Sequence, residues 1–216
     1  MADIRSIPEG PLGSVAYVVV LAELSILIDP SVPPAKIIGT IPPVAFILAT
    51  HGHIDHIAAA DHWRDQTGAS LLIHQDDADC LTDPSRNLSM ILGQTHVFRP
   101  SESHVTDQQI IDLDETYRIC VWHTPGHSAG SVCYLLEEEN RPIALFSGDT
   151  LFCRSIGRTD LGGDSAQMVA SLSRLGRMAK ERQLTEENDL AVYPGHGPQT
   201  WLLSEIKRNP YWPSDR

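Results

Sequence analysis

A seven-residue run from Thr50 to His56 (THGHIDH) contains four side chains that could bind metal ions. In an extended segment, His51, His53 and Asp55 would point to one side, because side chains alternate along a strand. His56 follows at once and faces the same site from the start of a helix. Imidazole and carboxylate are donors that zinc and iron prefer, and a single catalytic metal usually takes three protein ligands. Four candidates in one run therefore predict two metals.

Three later segments share one design, in which an apolar strand ends at a glycine-containing turn that presents a candidate ligand. The ligands are His127 in TPGHS, Asp149 in SGDT and His196 in YPGHG. Glycine beside the ligand permits a tight or positive-φ turn and leaves room for a metal ion. A single turn of this kind is common. Three of them, together with HxHxDH, favour a metal centre over ordinary surface turns.

The elements that must position these ligands follow from the local patterns. Apolar and β-branched runs predict strands over 14–21, 25–29, 44–49, 69–74, 109–112, 117–123, 131–137, 142–147 and 190–193. Helical patterns cover 35–39, 55–68, 76–81, 164–179 and 202–207, with Asp55 expected as an N-cap. Strands then helix, twice over, predict an α/β fold of two similar halves, with two packed mixed β-sheets and helices on the outer faces.

Composition excludes several other classes of function. A formal net charge of −12 over 216 residues argues against nucleic acid as a partner. No apolar run reaches the roughly 20 residues that cross a bilayer, and residues 1–10 lack the pattern of a secretory leader. The four cysteines form no CxxC pair, which argues against a zinc knuckle or redox dithiol. We expect a soluble cytoplasmic protein with one domain over 1–216 and no membrane partner.

The sequence resembles the metallo-β-lactamase superfamily and, within it, the small glyoxalase II-like (hydroxyacylglutathione hydrolase-like) branch. The resemblance extends from about residue 12 to residue 211. It is carried by THGHIDH at 50–56, HTPGHSAGS at 123–131, FSGDTLF at 146–152, SIGRTD at 155–160, YPGHGPQT at 193–200, and Lys207, Asn209, Pro210 and Tyr211. It implies the αββα sandwich of that superfamily and hydrolysis of a small-molecule thioester.

The resemblance also implies roles for individual residues. It implies that the first metal is held by His51, His53 and His127. The second metal is then held by Asp55, His56 and His196, and Asp149 bridges the two metals. Asp55 and Asp149 are the carboxylates expected to be catalytic. Zinc is the expected metal, although the same donors accept iron or manganese. Metal binding lowers the pKa of water from 15.7 to about 7, so the implied nucleophile is a metal-bound hydroxide.

Several alternatives stay open on the sequence alone. Glyoxalase II proper carries a C-terminal helical domain that helps to hold glutathione, and we expect none here, so the substrate contacts must differ. Arg158 could pair with a substrate carboxylate, or Arg158 and Asp160 could form a structural ion pair. A persulfide dioxygenase, with one iron held by His51, His127 and Asp149, and a lactonase are alternative activities. The sequence leaves the oligomeric state open.

Overall fold

The computed structural model describes residues 2–213 of the chain, so both ends of the domain predicted over 1–216 lie outside the described residues. The chain divides into two compact units, one up to Val105 and one from Thr106. Each unit is built on its own six-stranded sheet. The predicted α/β class, with two mixed sheets and helices, is confirmed. The single-domain organisation stays a prediction.

The sheet of the first unit has its strands in sequence order. They are β1 (Asp3–Ile7), β2 (Ala16–Val20), β3 (Ser25–Ile28), β4 (Val44–Leu48), β5 (Ser70–His74) and β6 (Ser103–Val105). The pairs from β1 to β3 are antiparallel, and the pairs from β3 to β6 are parallel. Because β3 and β4 are parallel neighbours with Ile28 opposite Leu48, the residues that follow the two strands lie side by side at the carboxyl ends of the strands.

The helical segments of the first unit are short. They are α1 (Ile54–Ile57), α2 (Ala60–Thr67) and 3₁₀ turns over Pro34–Lys36, Ile38–Thr40, Gln75–Leu81 and Ser89–Leu92. The helix predicted over 35–39 is therefore wrong, because residues 34–40 form two separate 3₁₀ turns. Ile57 and Trp63 are fully buried in a core that includes Leu27 and Ile47.

The helix predicted over 55–68 is interrupted, and tertiary hydrogen bonds explain why. Within a continuous helix, the Ala59 N–H would donate to the Asp55 carbonyl. Instead, the Ala59 N–H donates to the Pro30 carbonyl at 2.8 Å, and the Ser14 hydroxyl donates to the Asp55 carbonyl at 2.7 Å. His53, rather than Asp55, is the N-cap of α1, and Asp55 lies in its first turn.

The sheet of the second unit has the order β12-β11-β10-β9-β8-β7. Its strands are β7 (Ile110–Asp112), β8 (Tyr117–His123), β9 (Val132–Glu138), β10 (Arg141–Gly148), β11 (Ala191–Pro194) and β12 (Thr200–Trp201). All neighbours are antiparallel except β10 and β11. Helix α3 (Ser165–Glu181) contributes Leu172 and Leu175 to the core, and α4 (Leu202–Arg208) contributes Leu202.

Sequence patterns missed three strands, namely β1, β6 and β12. All three lie at the edge of a sheet, and none exceeds five residues. An edge strand with one side exposed needs no continuous apolar run, so the pattern that revealed the central strands is absent there. Among residues 2–213, no helix combines the length and the apolar character that crossing a bilayer requires.

Candidate metal centre

The first unit holds the HxHxDH ligands between the end of β4 and the first turn of α1. His51, His53, Asp55 and His56 are all at most 8% exposed. The ring centroid of His51 lies 4.7 Å from that of His53 and 4.2 Å from that of His56. Nε2 of His56 lies 3.6 Å from Oδ2 of Asp55. The structure therefore gathers all four predicted ligands of this unit into one buried group.

Asp29, at the end of β3, orients two of these rings. Its Oδ1 accepts the Thr50 N–H at 2.7 Å, and its Oδ2 accepts the Thr50 hydroxyl and His56 Nδ1, both at 2.8 Å. Because the Thr50 hydroxyl proton points to Asp29, His51 Nδ1 must be the donor to Thr50 Oγ1, 3.1 Å away. Both rings then carry their lone pair on Nε2, the nitrogen that can bind a metal ion.

Gly52, between His51 and His53, packs too closely to carry a side chain. A Cβ at this position would lie 2.3 Å from Cβ of Cys80. The Gly52 N–H donates to Oδ2 of the buried Asp77 at 2.9 Å. The glycine therefore lets the ligand-bearing segment lie against the 3₁₀ turn at 75–81. Cys80 is buried, and desolvation raises the pKa of its thiol to about 12.

The second unit presents its three predicted ligands at the ends of strands. His127 comes after β8, Asp149 after β10 and His196 after β11. Oδ2 of Asp149 lies 3.4 Å from Nε2 of His127 and 3.6 Å from Nε2 of His196. The Gly195 N–H donates to the Gly148 carbonyl at 2.9 Å and joins the turns of two ligands. One carboxylate oxygen therefore stands between two imidazoles.

These separations suit metal ligation better than direct hydrogen bonding. Strong N–H···O bonds have donor–acceptor distances of roughly 2.7–3.2 Å. Two ligands on one tetrahedral metal, each bound at about 2.1 Å, lie about 3.4 Å apart. Buried imidazole and carboxylate are also the donors that divalent transition metals prefer. In both donor type and spacing, the ligand group within each unit fits metal binding.

The SIGRTD segment supports the ligands of the second unit. His127 Nδ1 donates to the Arg158 carbonyl at 2.7 Å, which leaves the lone pair on Nε2. A Cβ on Gly157 would lie 1.9 Å from the Asp149 carbonyl oxygen. Gly126 has φ +149°, and a Cβ there would lie 2.5 Å from Cα of Met168. The positive φ expected of the turn glycine is thus present at Gly126.

Arg158 and Asp160 form a doubly hydrogen-bonded pair. Nε and Nη2 of Arg158 each lie 2.7 Å from a different carboxylate oxygen of Asp160. The Arg158 guanidinium lowers the pKa of the Asp160 carboxyl to about 2. The two side chains are 60% and 66% exposed and line a cavity of about 600 Å³, together with Met168, Val169 and Tyr211. The ion pair that the sequence left open as one of two alternatives is therefore present, on an exposed surface.

Two supporting residues escaped sequence analysis. Asp29 directly follows a buried strand, as candidate ligands do, and that position is the sole sequence indication of its role. Glu205 lies in α4 with no exposed surface and resembles an ordinary helix-surface glutamate in sequence. Both contact their partners through long-range hydrogen bonds that no local pattern encodes.

Comparison with known proteins identifies relatives over nearly the whole chain. Residues 10–196 match the family described as the metallo-beta-lactamase superfamily. The chain is 34% identical to the probable metallo-hydrolase YqgX of Bacillus subtilis, with 96% of each chain aligned. It is 28% identical to the hydroxyacylglutathione hydrolase GloC of Haemophilus influenzae, over 76% of this chain and 74% of that one.

Solved structures agree with these sequence relatives. The crystal structure of BLEG-1, described as a B3 metallo-beta-lactamase, is 32% identical, covers 98% of this chain and 100% of its own, and gives a TM-score of 0.84. The crystal structure of TTHA1623 in a di-iron-bound form is also 32% identical, with 96% and 99% covered and a TM-score of 0.77.

Proposed function

The chain belongs to the metallo-β-lactamase superfamily, and from this membership we propose that it hydrolyses a small-molecule thioester at a centre of two divalent metal ions. The observation that carries the proposal is the position of Asp149, whose Oδ2 lies 3.4 Å from His127 Nε2 and 3.6 Å from His196 Nε2. A carboxylate between two imidazoles suits a bridging ligand. The histidine and aspartate clusters fit a dinuclear site of the kind typical of this superfamily.

The proposed ligand sets follow the resemblance in sequence. They are His51, His53 and His127 for the first metal, Asp55, His56 and His196 for the second, and Asp149 as the bridge. The hydrogen bonds at Nδ1 support this assignment, because they present Nε2 of His51, His56 and His127 as the binding nitrogen. Zinc is the proposed metal, and iron is the first alternative because TTHA1623 holds two irons.

The chemistry divides between the metals and the protein. Two bound cations would supply an activated water and polarise the scissile carbonyl. Asp29 and the Arg158 carbonyl hold protons on Nδ1 of His56 and His127 and so fix both rings. The burial of His51 and Asp55 limits bulk water around the donors, which strengthens electrostatic interactions there. No serine or cysteine nucleophile is required.

The proposed substrate is a thioester of the hydroxyacylglutathione type. The branch resemblance and the similarity to GloC support this choice. The cavity of about 600 Å³ beside Gly157, which packs against Asp149, provides space for the thiol portion of such a substrate. Arg158 on its wall provides a guanidinium that could pair with a carboxylate of that portion.

The test combines metal analysis with turnover of a defined substrate set. The purified protein is assayed for metal content and for hydrolysis of S-lactoylglutathione, a panel of lactones and a β-lactam. The proposal expects two metal ions per chain and fastest turnover of the thioester, with loss of turnover in a folded Asp149→Ala variant. One iron per chain, together with oxygen consumption on a persulfide substrate, would overturn it. Faster turnover of a lactone or β-lactam would reassign the substrate.

A further inference from the structure

Glu205 in α4 has a fully buried carboxylate that is surrounded by hydrogen-bond donors. Its Oε2 accepts the Arg154 backbone N–H and the Asn209 side-chain amide, both at 2.9 Å. Its Oε1 accepts the Thr200 hydroxyl at 2.6 Å and the Arg154 guanidinium at 2.5 Å. Burial of a carboxylate costs several kcal/mol unless it is paired and hydrogen-bonded. The four donors meet that requirement.

Three of the four donors come from the two chain segments that follow metal-ligand candidates. Arg154 lies five residues after Asp149, and Thr200 lies four residues after His196. The Glu205 carboxylate therefore joins the loop after Asp149 to the loop after His196. The Gly195–Gly148 hydrogen bond joins the same two chain segments just before the ligands. Asp149 and His196 are thus each preceded by the Gly195–Gly148 hydrogen bond and followed by a residue that is bonded to Glu205.

Asn209, just beyond α4, strengthens the connection on the Asp149 side. Its Nδ2 donates to the Ser155 carbonyl at 3.0 Å and to the Phe152 carbonyl at 3.4 Å. The ring of Phe152 meets the His196 ring edge-on, with centroids 5.8 Å apart and an interplanar angle of 83°. The turn that Asn209 and Glu205 hold is therefore in direct contact with a candidate ligand.

From these contacts we propose that Glu205 and Asn209 are positioning residues, which fix Asp149 and His196 relative to each other and so set the affinity for the second metal. The inference rests on the proposed metal centre and adds residues that touch neither metal nor substrate. It also gives a role to Asn209, which the sequence resemblance marked without explaining. Residues that support metal ligands typically change metal affinity about 10–100-fold when mutated.

The principal test is Glu205→Gln, which preserves shape and removes the charge. A glutamine offers one oxygen, and its NH₂ group would face the Arg154 N–H or the Asn209 amide, both of which are donors. We expect about tenfold weaker binding of the second metal, which depends on both Asp149 and His196, and a smaller weakening of the first, which shares only the bridging Asp149. Competition between the protein and a chromophoric chelator for Zn²⁺ measures both constants. The visible spectrum of the Co²⁺-substituted protein reports the ligand geometry.

Two further variants separate positioning from general stability. Thr200→Val removes a single hydrogen bond to Glu205 at nearly constant volume, and we expect a smaller weakening of the same metal site. Glu186→Gln serves as the matched control. Glu186 pairs at 2.5 Å, on an exposed surface, with Lys207 of α4, the helix that also carries Glu205. This variant should leave both metal constants and the Co²⁺ spectrum unchanged.

The outcomes distinguish this inference from the proposed function. If the wild-type protein binds two metals and Glu205→Gln and Thr200→Val bind both with wild-type affinity, the positioning role is overturned and the metal centre stands. A lowered melting temperature with unchanged metal constants also overturns the positioning role, since Glu205 then serves the fold alone. If the wild-type protein binds fewer than two metals, both proposals fail.

Discussion

Oδ2 of Asp29, at the end of β3, lies 2.8 Å from Nδ1 of His56 in α1. The two residues are 27 positions apart, and both are buried, with Asp29 1% and His56 0% exposed. The same carboxylate binds the backbone and hydroxyl of Thr50, the residue just before the first ligand. Asp29 therefore holds both ends of the HxHxDH segment and determines which nitrogen of His56 is protonated.

Asp29→Asn should disrupt the candidate centre without changing the shape of the side chain. The amide can still accept the Thr50 N–H, but its NH₂ group would face His56 Nδ1 and favour the tautomer protonated on Nε2. We expect metal affinity and kcat to fall about 10–100-fold. Metal content after dialysis and steady-state kinetics provide the measurements.

Asp3→Asn is the matched control for Asp29→Asn. Asp3 lies on β1, in the same unit, where its exposed carboxylate pairs with Arg5. This variant should retain wild-type metal content and activity. Equal metal retention in Asp29→Asn and the wild-type protein would contradict the role assigned to Asp29.

Gly157→Ala should displace the bridging ligand candidate. The added methyl group would lie 1.9 Å from the Asp149 carbonyl oxygen and 3.1 Å from His127 Nδ1, so the backbone around both ligands must move. A displacement of about 1 Å at a reacting centre costs on the order of 100-fold in rate. We expect a loss of that size in kcat/KM, with the circular dichroism spectrum unchanged.

Gly39→Ala is the comparison for that substitution. A Cβ on Gly39 has no atom within 4 Å, so the variant should match the wild-type protein in rate. If Gly157→Ala kept full activity, the contact between the SIGRTD segment and the ligand turns would have no catalytic importance.

Arg158→Gln should affect the binding of a charged substrate more than the chemical step. If the guanidinium pairs with a substrate carboxylate, KM for S-lactoylglutathione rises about tenfold, while kcat changes little. An uncharged thioester of similar size should show no such change in KM. An equal rise in KM for the charged and the uncharged thioester would indicate that Arg158 supports the site structurally, through the contact of its carbonyl with His127.

The Arg158–Asp160 pair should not add a pH dependence near neutrality. Arg158 lowers the pKa of Asp160 from 3.8 to about 2, so any stabilisation from the pair is present above pH 3.8 and is lost as the pH falls toward 2. KM measured from about pH 5 to about pH 9 should therefore have the same profile in the wild-type protein and in Asp160→Asn. An acidic inflection that disappears in the variant would contradict this assignment.

Arg64→Met tests a buried hydrogen-bond group in the first unit. The Arg64 guanidinium is 3% exposed and donates to the carbonyls of Arg99 and Pro100 and to the carboxylates of Asp61 and Glu102. Its loss leaves these acceptors without their charged donor, which should lower the free energy of unfolding by about 2 kcal/mol. Urea denaturation of the metal-free protein measures the change.

Arg86→Met is the control for this stability measurement. Arg86 is 55% exposed and pairs with Asp79 and Asp83 on the surface of the same unit. Exposed pairs contribute little, so the change should stay within about 0.5 kcal/mol. A similar loss in both arginine variants would show that burial of the Arg64 network brings no added stability.

Local sequence determined which residues are candidate ligands and where the central strands lie. The strand at 117–123 was predicted with its observed bounds, and β4 to within one residue, because buried strands form unbroken apolar runs. The histidines of THGHIDH and the glycines beside His127 and Asp149 stand out for a similar reason. Ligand type and turn geometry are properties of a few adjacent residues, so sequence alone reveals them.

The tertiary structure alone decided how those ligands are held. Asp29 reaches His56 across 27 residues, and Glu205 reaches Arg154 across 51. The break between α1 and α2 likewise depends on Ala59 meeting Pro30. These contacts depend on strand order and register, which bring distant segments together and which local periodicity does not record. The sequence alone therefore determined the donors, whereas folding decided their tautomers, their supports and the arrangement of their loops.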